Sequence, residues 1–168
     1  MNKVIASNQA ITLSELSASD APWIYDLMND PLYQEFIGDR NIHTIEDAVS
    51  YLLNGPIASY RAHGFGLWKV TLNQNEDSIG ICCIVQRDYL DGPDIGYATL
   101  ANHRKKGLTY QAIQLTLSYF REHISSDQLY GLTKPDNTTS QQLLLKAGFD
   151  LLDTRVVKGL ETVVYKLS

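Results

Sequence analysis

The sequence predicts an α+β fold in which helices pack on a mixed β-sheet, and three observations carry that prediction. Stretches of strand-like apolar residues and stretches of helical spacing follow one another along the chain. The middle holds three consecutive strand candidates separated by polar turns, as an antiparallel meander would. Directly after the third, the apolar period changes to that of a long helix. The chain of 168 residues has no repeat, no low-complexity tract and no linker rich in Pro, Gly or Ser, so one domain over residues 1–168 is expected. A chain of this size buries about 70% of its unfolded surface, enough for a core without metal or disulfide.

In chain order, Ile11 to Leu16 is a short strand candidate. Ser19-Asp20-Ala21-Pro22 then announces a helix, with a capping residue ahead of an early proline and Trp23, Ile24, Leu27 and Met28 on one face. Asn29-Asp30-Pro31 should end it. Thr44 and Asp47 have the spacing of a capping box, and Ile45, Ala48, Val49, Leu52 and Leu53 continue at helical spacing until Asn54-Gly55-Pro56. Phe65 to Leu72, Ser78 to Gln86 and Asp94 to Leu100 read as the meander, turned at 73–77 and at Asp91-Gly92-Pro93. Leu108, Ala112, Leu115 and Tyr119, flanked by Ile113, Leu117, Phe120 and Ile124, mark a long and largely buried helix. Leu129 to Thr133 is another strand; Pro135-Asp136-Asn137 opens a helix through Lys146, with Gly148 placed for a left-handed cap. Leu151 to Val157 and Thr162 to Leu167 form a closing hairpin turned at Lys158-Gly159.

Composition narrows the function classes. With 44% apolar and 20% charged residues the usage is that of a globular protein. No run approaches the ~20 apolar residues of a membrane span, and the first residues lack a long apolar core for export, so a soluble cytoplasmic protein without a membrane partner is expected. The net charge of −5 argues against wholesale binding to nucleic acid, which Lys and Arg drive. Cys82 and Cys83 are adjacent in an apolar strand and would point to opposite faces, so they read as reduced core residues. The four histidines show no paired spacing for a metal, and none is expected.

The chemical signal lies between the third middle strand and the long helix, at Ala101-Asn102-His103-Arg104-Lys105-Lys106-Gly107-Leu108-Thr109. Cations just ahead of a helix join unpaired backbone N–H groups and a positive dipole end at one point in space. Such a turn suits an anion, most naturally phosphate; the alternative is a solvated basic turn. Gly107 would permit a conformation, or an approach to a ligand, that a side chain obstructs. No Walker loop and no dinucleotide fingerprint is present.

Arg104-Lys105-Lys106-Gly107-Leu108-Thr109 resembles the acetyl-coenzyme A motif of the GNAT superfamily of N-acetyltransferases, Gln/Arg-x-x-Gly-x-Gly/Ala, at Arg104 and Gly107, and departs from it at Thr109. The second half of the pattern follows at Asn137-Thr138-Thr139-Ser140 and Leu143-Leu144-Leu145-Lys146-Ala147-Gly148-Phe149. Phe36-Ile37-Gly38-Asp39-Arg40, Gly64-Phe65-Gly66-Leu67-Trp68 and Asp94-Ile95-Gly96-Tyr97 also resemble the branch of ribosomal-protein alanine acetyltransferases, so the likeness runs from about Ile11 to Leu167.

The resemblance implies a predominantly antiparallel, splayed sheet of six or seven strands with about four helices, holding acetyl-coenzyme A as co-substrate. The pantetheine arm would run along Thr99 and Leu100, and the pyrophosphate would sit on Arg104, Lys105, Lys106, Gly107, Leu108 and Thr109, with Asn137 on the arm. An amine, of a small molecule or a protein N-terminus, would attack the thioester directly in a ternary complex. Asp94 would be the base and Ser140 the proton donor to the thiolate by resemblance; as plain residues they are a turn residue and a first-turn helix residue. Tyr97 would line the acceptor cleft or belong to the core, and Tyr33 and Phe36 divide between core and substrate wall. The family's habit of pairing implies a possible homodimer. Two other classes stand beside the enzyme: a non-catalytic acyl-coenzyme A binding module, suggested by Thr109, and a nucleic-acid binder using His103 to Lys106, which the net charge disfavours.

Charge is unevenly distributed. Residues 1–53 hold two basic and eight acidic residues, a balance of −6, whereas 101–124 hold four basic and one acidic, a balance of +3. A basic turn for coenzyme phosphates facing an acidic region for a cationic amine is the expectation this raises.

Overall fold

The strands are β1 (Val4–Ser7), β2 (Ile11–Glu15), β3 (Leu67–Leu72), β4 (Ser78–Val85), β5 (Asp94–Thr99), β6 (Tyr130–Thr133), β7 (Phe149–Val157) and β8 (Leu160–Leu167). In the computed structural model, which describes residues 2–168, they form one sheet in the order β1-β2-β3-β4-β5-β6-β8-β7. All neighbours are antiparallel except β5 and β6. The helices are α1 (Ala21–Met28), α2 (Pro31–Phe36), α3 (Ile45–Asn54), α4 (Pro56–His63), α5 (Leu108–His123) and α6 (Thr138–Lys146), with single 3-10 turns at Ala18–Asp20 and Ala101–His103.

The predicted mixed α+β sheet is what forms, with one strand and two helices more than the sequence suggested. β1 is a four-residue edge strand, too short to show a pattern of its own. α2 and α4 begin at Pro31 and Pro56, which read in the sequence as stops. Each proline occupies the first turn of a new helix, where a missing N–H leaves no bond unmade. Asp30 closes one helix and caps the next, its carboxylate accepting the N–H groups of Leu32 and Tyr33. The capping box at α3 forms: Asp47 N–H donates to Thr44 Oγ1 and Thr44 N–H to Asp47 Oδ2, both at 3.0 Å. The closing hairpin turns at Lys158 and Gly159 with φ of 50° and 79°, the primed geometry that suits strand twist.

Strand alternation feeds two cores. Cys82 and Ile84 of β4 join Trp68, Ile95 and the α5 residues Ile113, Leu117 and Phe120 on one face. Ile81 and Cys83 join Leu67 and the α1 and α3 residues Ile24, Leu27, Ala48 and Leu52 on the other. The two cysteines are therefore buried, unpaired and on opposite faces, and burial pushes the Cys82 thiol up to about 12.

The feature that positions the site is the junction of β5 and β6. The two strands run parallel and pair only through Asp94 with Tyr130 and Ile95 with Gly131. Beyond Ile95, β5 continues against β4 alone, and β6 continues against β8 alone, so the sheet opens. Leu100 N–H donates to Ile79 O at 2.8 Å; alternation then turns the backbone groups of Tyr97 and Thr99 to the opened side.

Candidate active site

On one side of the opening, β5 runs through the 3-10 turn into α5. Lys105 and Gly107 adopt left-handed conformations, with φ of 61° and 74°. A Cβ on Gly107 would meet nothing within 4 Å, so its requirement is conformational and the space before it is open. Gly107 caps α5 without a side chain, and the first intrahelical bond is Gln111 N–H to Gly107 O at 3.2 Å. The N–H groups of Leu108, Thr109 and Tyr110 thus have no carbonyl within the helix and face outward from its positive end. Lys105 and Lys106 are exposed, and Lys106 Nζ donates to Asn102 O at 2.9 Å.

Three of the expected contributions are placed differently. Arg104 does not join the lysines: its Nε donates to Thr99 O and its Nη2 to Asp30 Oδ1, both at 2.8 Å, so its charge is committed to the cap of α2. Leu100 does not offer backbone to the opening, since its N–H goes to Ile79 and its C=O accepts His103 N–H. Thr109 holds its hydroxyl 2.6 Å from that of Thr99, directing its side chain to β5.

Across the opening, Asn137 caps α6 by accepting Ser140 N–H at 3.2 Å. The Ser140 hydroxyl lies 3.0 Å from the Tyr97 hydroxyl, and Tyr97 also donates to Ser140 O at 3.1 Å. Tyr97 therefore stands on the α5 and α6 face beside Ser140, away from the N-terminal helices. Burial raises its phenol far above the ordinary value, against the pull of the Ser140 bond, so it stays protonated.

The other face of β5 carries Asp94, only 5% exposed, with Oδ1 accepting Arg87 Nε at 2.8 Å. Burial raises the Asp94 carboxyl and the Arg87 guanidinium opposes that rise. Gly96, next on this face, leaves bare backbone; a Cβ there would come within 2.9 Å of Cys83 Sγ. Tyr33 is buried in the α1 and α3 core, while Phe36 is half-buried at the end of α2. Burial raises the Tyr33 phenol, and Arg40 pulls it back; Arg40 acts likewise on Tyr51, and Arg87 opposes Arg40. Sequence reasoning missed Arg87 and Tyr51 and gave Arg40 no role, since nothing in their local spacing marks them.

α2 bridges the two arms. Asp30 at its start holds Arg104, beyond β5, and the Glu35 carbonyl near its end accepts Lys134 Nζ, beyond β6. Four of the eight acids of the N-terminal region are engaged in pairs and caps. Glu15 pairs with Lys3, Asp20 with Lys69 and Asp30 with Arg104, Asp47 serves the α3 cap, and Asp26, Glu35, Asp39 and Glu46 are exposed. Half of the eight acids of residues 1–53 are thus engaged within the fold and half stay open to solvent. Among the described residues no group of three His, Cys, Asp or Glu converges as metal ligands, and no helix is long and apolar enough to cross a membrane.

Comparison with known proteins places this geometry. Residues 10–150 match the family model for the acetyltransferase (GNAT) domain, and the chain belongs to that family. The chain is 23% identical over 148 residues to the uncharacterized N-acetyltransferase YoaA of Bacillus subtilis (strain 168), covering 86% of this chain and 82% of that one. The same fold occurs in the ribosomal alpha-N-protein acetyltransferase RimL in complex with coenzyme A, with a TM-score of 0.84, 14% identity and coverage of 98% and 97%. It also occurs in an acetyltransferase from Agrobacterium tumefaciens str. C58, with a TM-score of 0.80, 19% identity and coverage of 96% and 92%.

Proposed function

We propose that this GNAT-family protein transfers an acetyl group from acetyl-coenzyme A to a primary amine, of a small molecule or a protein N-terminus, by direct attack in a ternary complex. The observation that carries the reading is the opened edge of β5, which leads without interruption into a helix start with three outward N–H groups and two exposed lysines. These groups fit a ligand with amides at one end and phosphates at the other. Strand-edge groups of Tyr97 and the N–H of Thr99, whose carbonyl already accepts Arg104 Nε, would pair with the pantetheine amides as an added strand does, and Asn137 would contact the same arm. Lys105, Lys106 and the N–H groups of Leu108, Thr109 and Tyr110 would hold the pyrophosphate.

In the reaction the amine nitrogen bonds to the thioester carbon, the C–S bond breaks, and a proton moves from nitrogen to sulfur overall. Asp94, on the acceptor face of β5, takes the amine proton directly or through water, and its raised carboxyl suits that task. Ser140, backed by the protonated Tyr97 3.0 Å away, supplies the proton to the departing thiolate. Tyr97 thus works with Ser140 and not as an acceptor wall, Tyr33 belongs to the core, and half-buried Phe36 at the end of α2 lines the acceptor approach. RimL, by its name, acts on a ribosomal protein's alpha-amine, which supports keeping an N-terminus among the acceptors.

The test joins two readings on the same protein: thermal stabilisation by coenzyme A, and thiol release from acetyl-coenzyme A across amines that include N-terminal peptides. Stabilisation with thiol release is expected. Stabilisation without release on any amine would make the chain a non-catalytic acyl-coenzyme A binding module, and no stabilisation would remove the proposal altogether.

A further inference from the structure

The two outer edges of the sheet are finished differently. β1, at one edge, is four residues long, and its register shifts between Val4 and Ala6. Short, irregular edges are poor templates for another strand. β7, at the other edge, is nine residues long and carries neither lysine nor proline, and no strand pairs with its outer side among the described residues. Its Leu151, Leu152 and Val156 are 61%, 48% and 72% exposed, and Leu160 of β8 is 60% exposed. A long edge of this kind sets unpaired N–H and C=O groups beside bare hydrocarbon, a combination that another chain can cover.

The residues along that edge point to the kind of chain. About Thr154 they mirror one another in character: Asp153 with Arg155, Leu152 with Val156, Leu151 with Val157, and Asp150 with Lys158. Two copies laid antiparallel about a two-fold axis at Thr154 set Asp153 of each opposite Arg155 of the other. Pairing with β8 skips Leu152, so β7 is regular from Asp153 to Val157, and the pairs nearest Thr154 fix the register.

The backbone agrees with that axis. Lys158 and Gly159 form a two-residue turn, which makes Val157 and Leu160 the closing, hydrogen-bonded pair. Alternation then turns the backbone groups of Val157, Arg155 and Asp153 toward β8 and those of Val156 and Thr154 outward. Side chains alternate as well. Asp153 and Arg155 share one face, with Arg155 Nε donating to Asp153 Oδ1 at 2.8 Å, and Thr154 and Val156 lie on the other. Neighbouring axes fail on charge: at Asp153 or Arg155 like charges meet across the axis, and at Val156 Arg155 is set against Val157.

We propose that β7 pairs with β7 of a second copy of this chain, antiparallel about Thr154, so that the two sheets become one continuous sheet. Thr154 exchanges backbone hydrogen bonds with its counterpart, Asp153 faces the partner's Arg155, and the exposed leucines and valines of each copy gain an apolar neighbour. The same patch serves both copies, so the assembly closes at two. The pairing does not depend on the acetyltransferase reading.

Sedimentation equilibrium of the full chain over a range of concentrations tests this, with the melting temperature of each variant as the check on folding. A reversible dimer is expected for the wild type. Asp153→Arg alone and Arg155→Asp alone each bring like charges together on both sides of the axis, and each should weaken the dimer by about tenfold or more. Mixed in equal amounts, these two variants complement each other and should form a heterodimer, and the double variant should dimerise as the wild type does. Thr154→Pro removes an outward N–H that β8 does not use and should leave a folded monomer. A wild type that stays monomeric, one that grows past the dimer, or a dimer that neither charge variant weakens would overturn the proposal. So would two folded, monomeric charge variants that fail to pair when mixed.

Discussion

The two sides of β5 are assembled in different ways. The proposed coenzyme side draws most of its groups from one continuous run, Thr99 to Thr109, and relies on backbone N–H groups, a helix end and two exposed lysines. The proposed acceptor side relies on single side chains from separate segments, chiefly Asp94 of β5 and Arg87 of the turn after β4, and its character depends on their pairing. Backbone donors are fixed by the fold and tolerate changes in side chains. A constellation of side chains can be altered one residue at a time without touching the sheet. Such an arrangement lets one half of a site stay constant in chemistry while the other is retuned to new acceptors.

The largest expected effect breaks the coenzyme side alone. Gly107→Glu puts a side chain on a residue with φ of 74° and a negative charge where N–H groups converge. Stabilisation by acetyl-coenzyme A should be lost in a melting experiment, and the ligand-free protein should lose about 1 to 2 kcal/mol to the positive φ. Asp94→Asn is the converse, aimed at the acceptor side: kcat should fall by about 10² to 10⁴-fold if general base catalysis is removed. Coenzyme A affinity measured by titration should hold, and a parallel loss of affinity would mean that the two sides are not separable in this way.

The smallest effect concerns the tie between them. Asp30→Ala removes the Arg104 ion pair and the α2 cap together, and a loss of about 1 to 3 kcal/mol in a denaturant titration is expected. Burial works to raise the Asp30 carboxyl, but its bonds to Arg104 and to the N–H groups of Tyr33 and Leu32 hold it below the ordinary 3.8. The folded form therefore binds this proton less readily than the unfolded chain. The Asp30 contribution is present above the ordinary carboxylate range and drains away as pH falls through 3.8 toward its folded value. The stability difference between wild type and Asp30→Ala should shrink over that acid window.

Legibility followed the same division. The strands, the long helix and the capping box at Thr44 and Asp47 were readable because alternation, helical period and capping are local patterns. Pro31 and Pro56 misled because the same residue type ends one helix and opens the next, and only the chain's path decides which. The turn at 101–109 stood out because its cations and glycine are contiguous, yet the sequence could not say that Arg104 would leave the others for Asp30, 74 residues away. The regional charge of −6 could not be resolved from the sequence, because it sums acids that the fold commits to caps and ion pairs with others that stay on the surface, while Arg87, the partner of Asp94, lies outside the region counted.

The bridging of α2 to both arms bears on the order in which the molecule can come together. Its ties join positions 74 and 99 residues apart, and neither partner exists in place until β5, β6 and the turns beyond them have formed. Closing so long a loop offers no reward until both ends are ready, whereas the β3-β4-β5 meander gains contacts from near neighbours at once. A six-residue helix has little stability of its own. Held by such distant ties, α2 is expected to form late and to open early, which faster hydrogen exchange of the α2 amides than of the β3-β4-β5 amides would show.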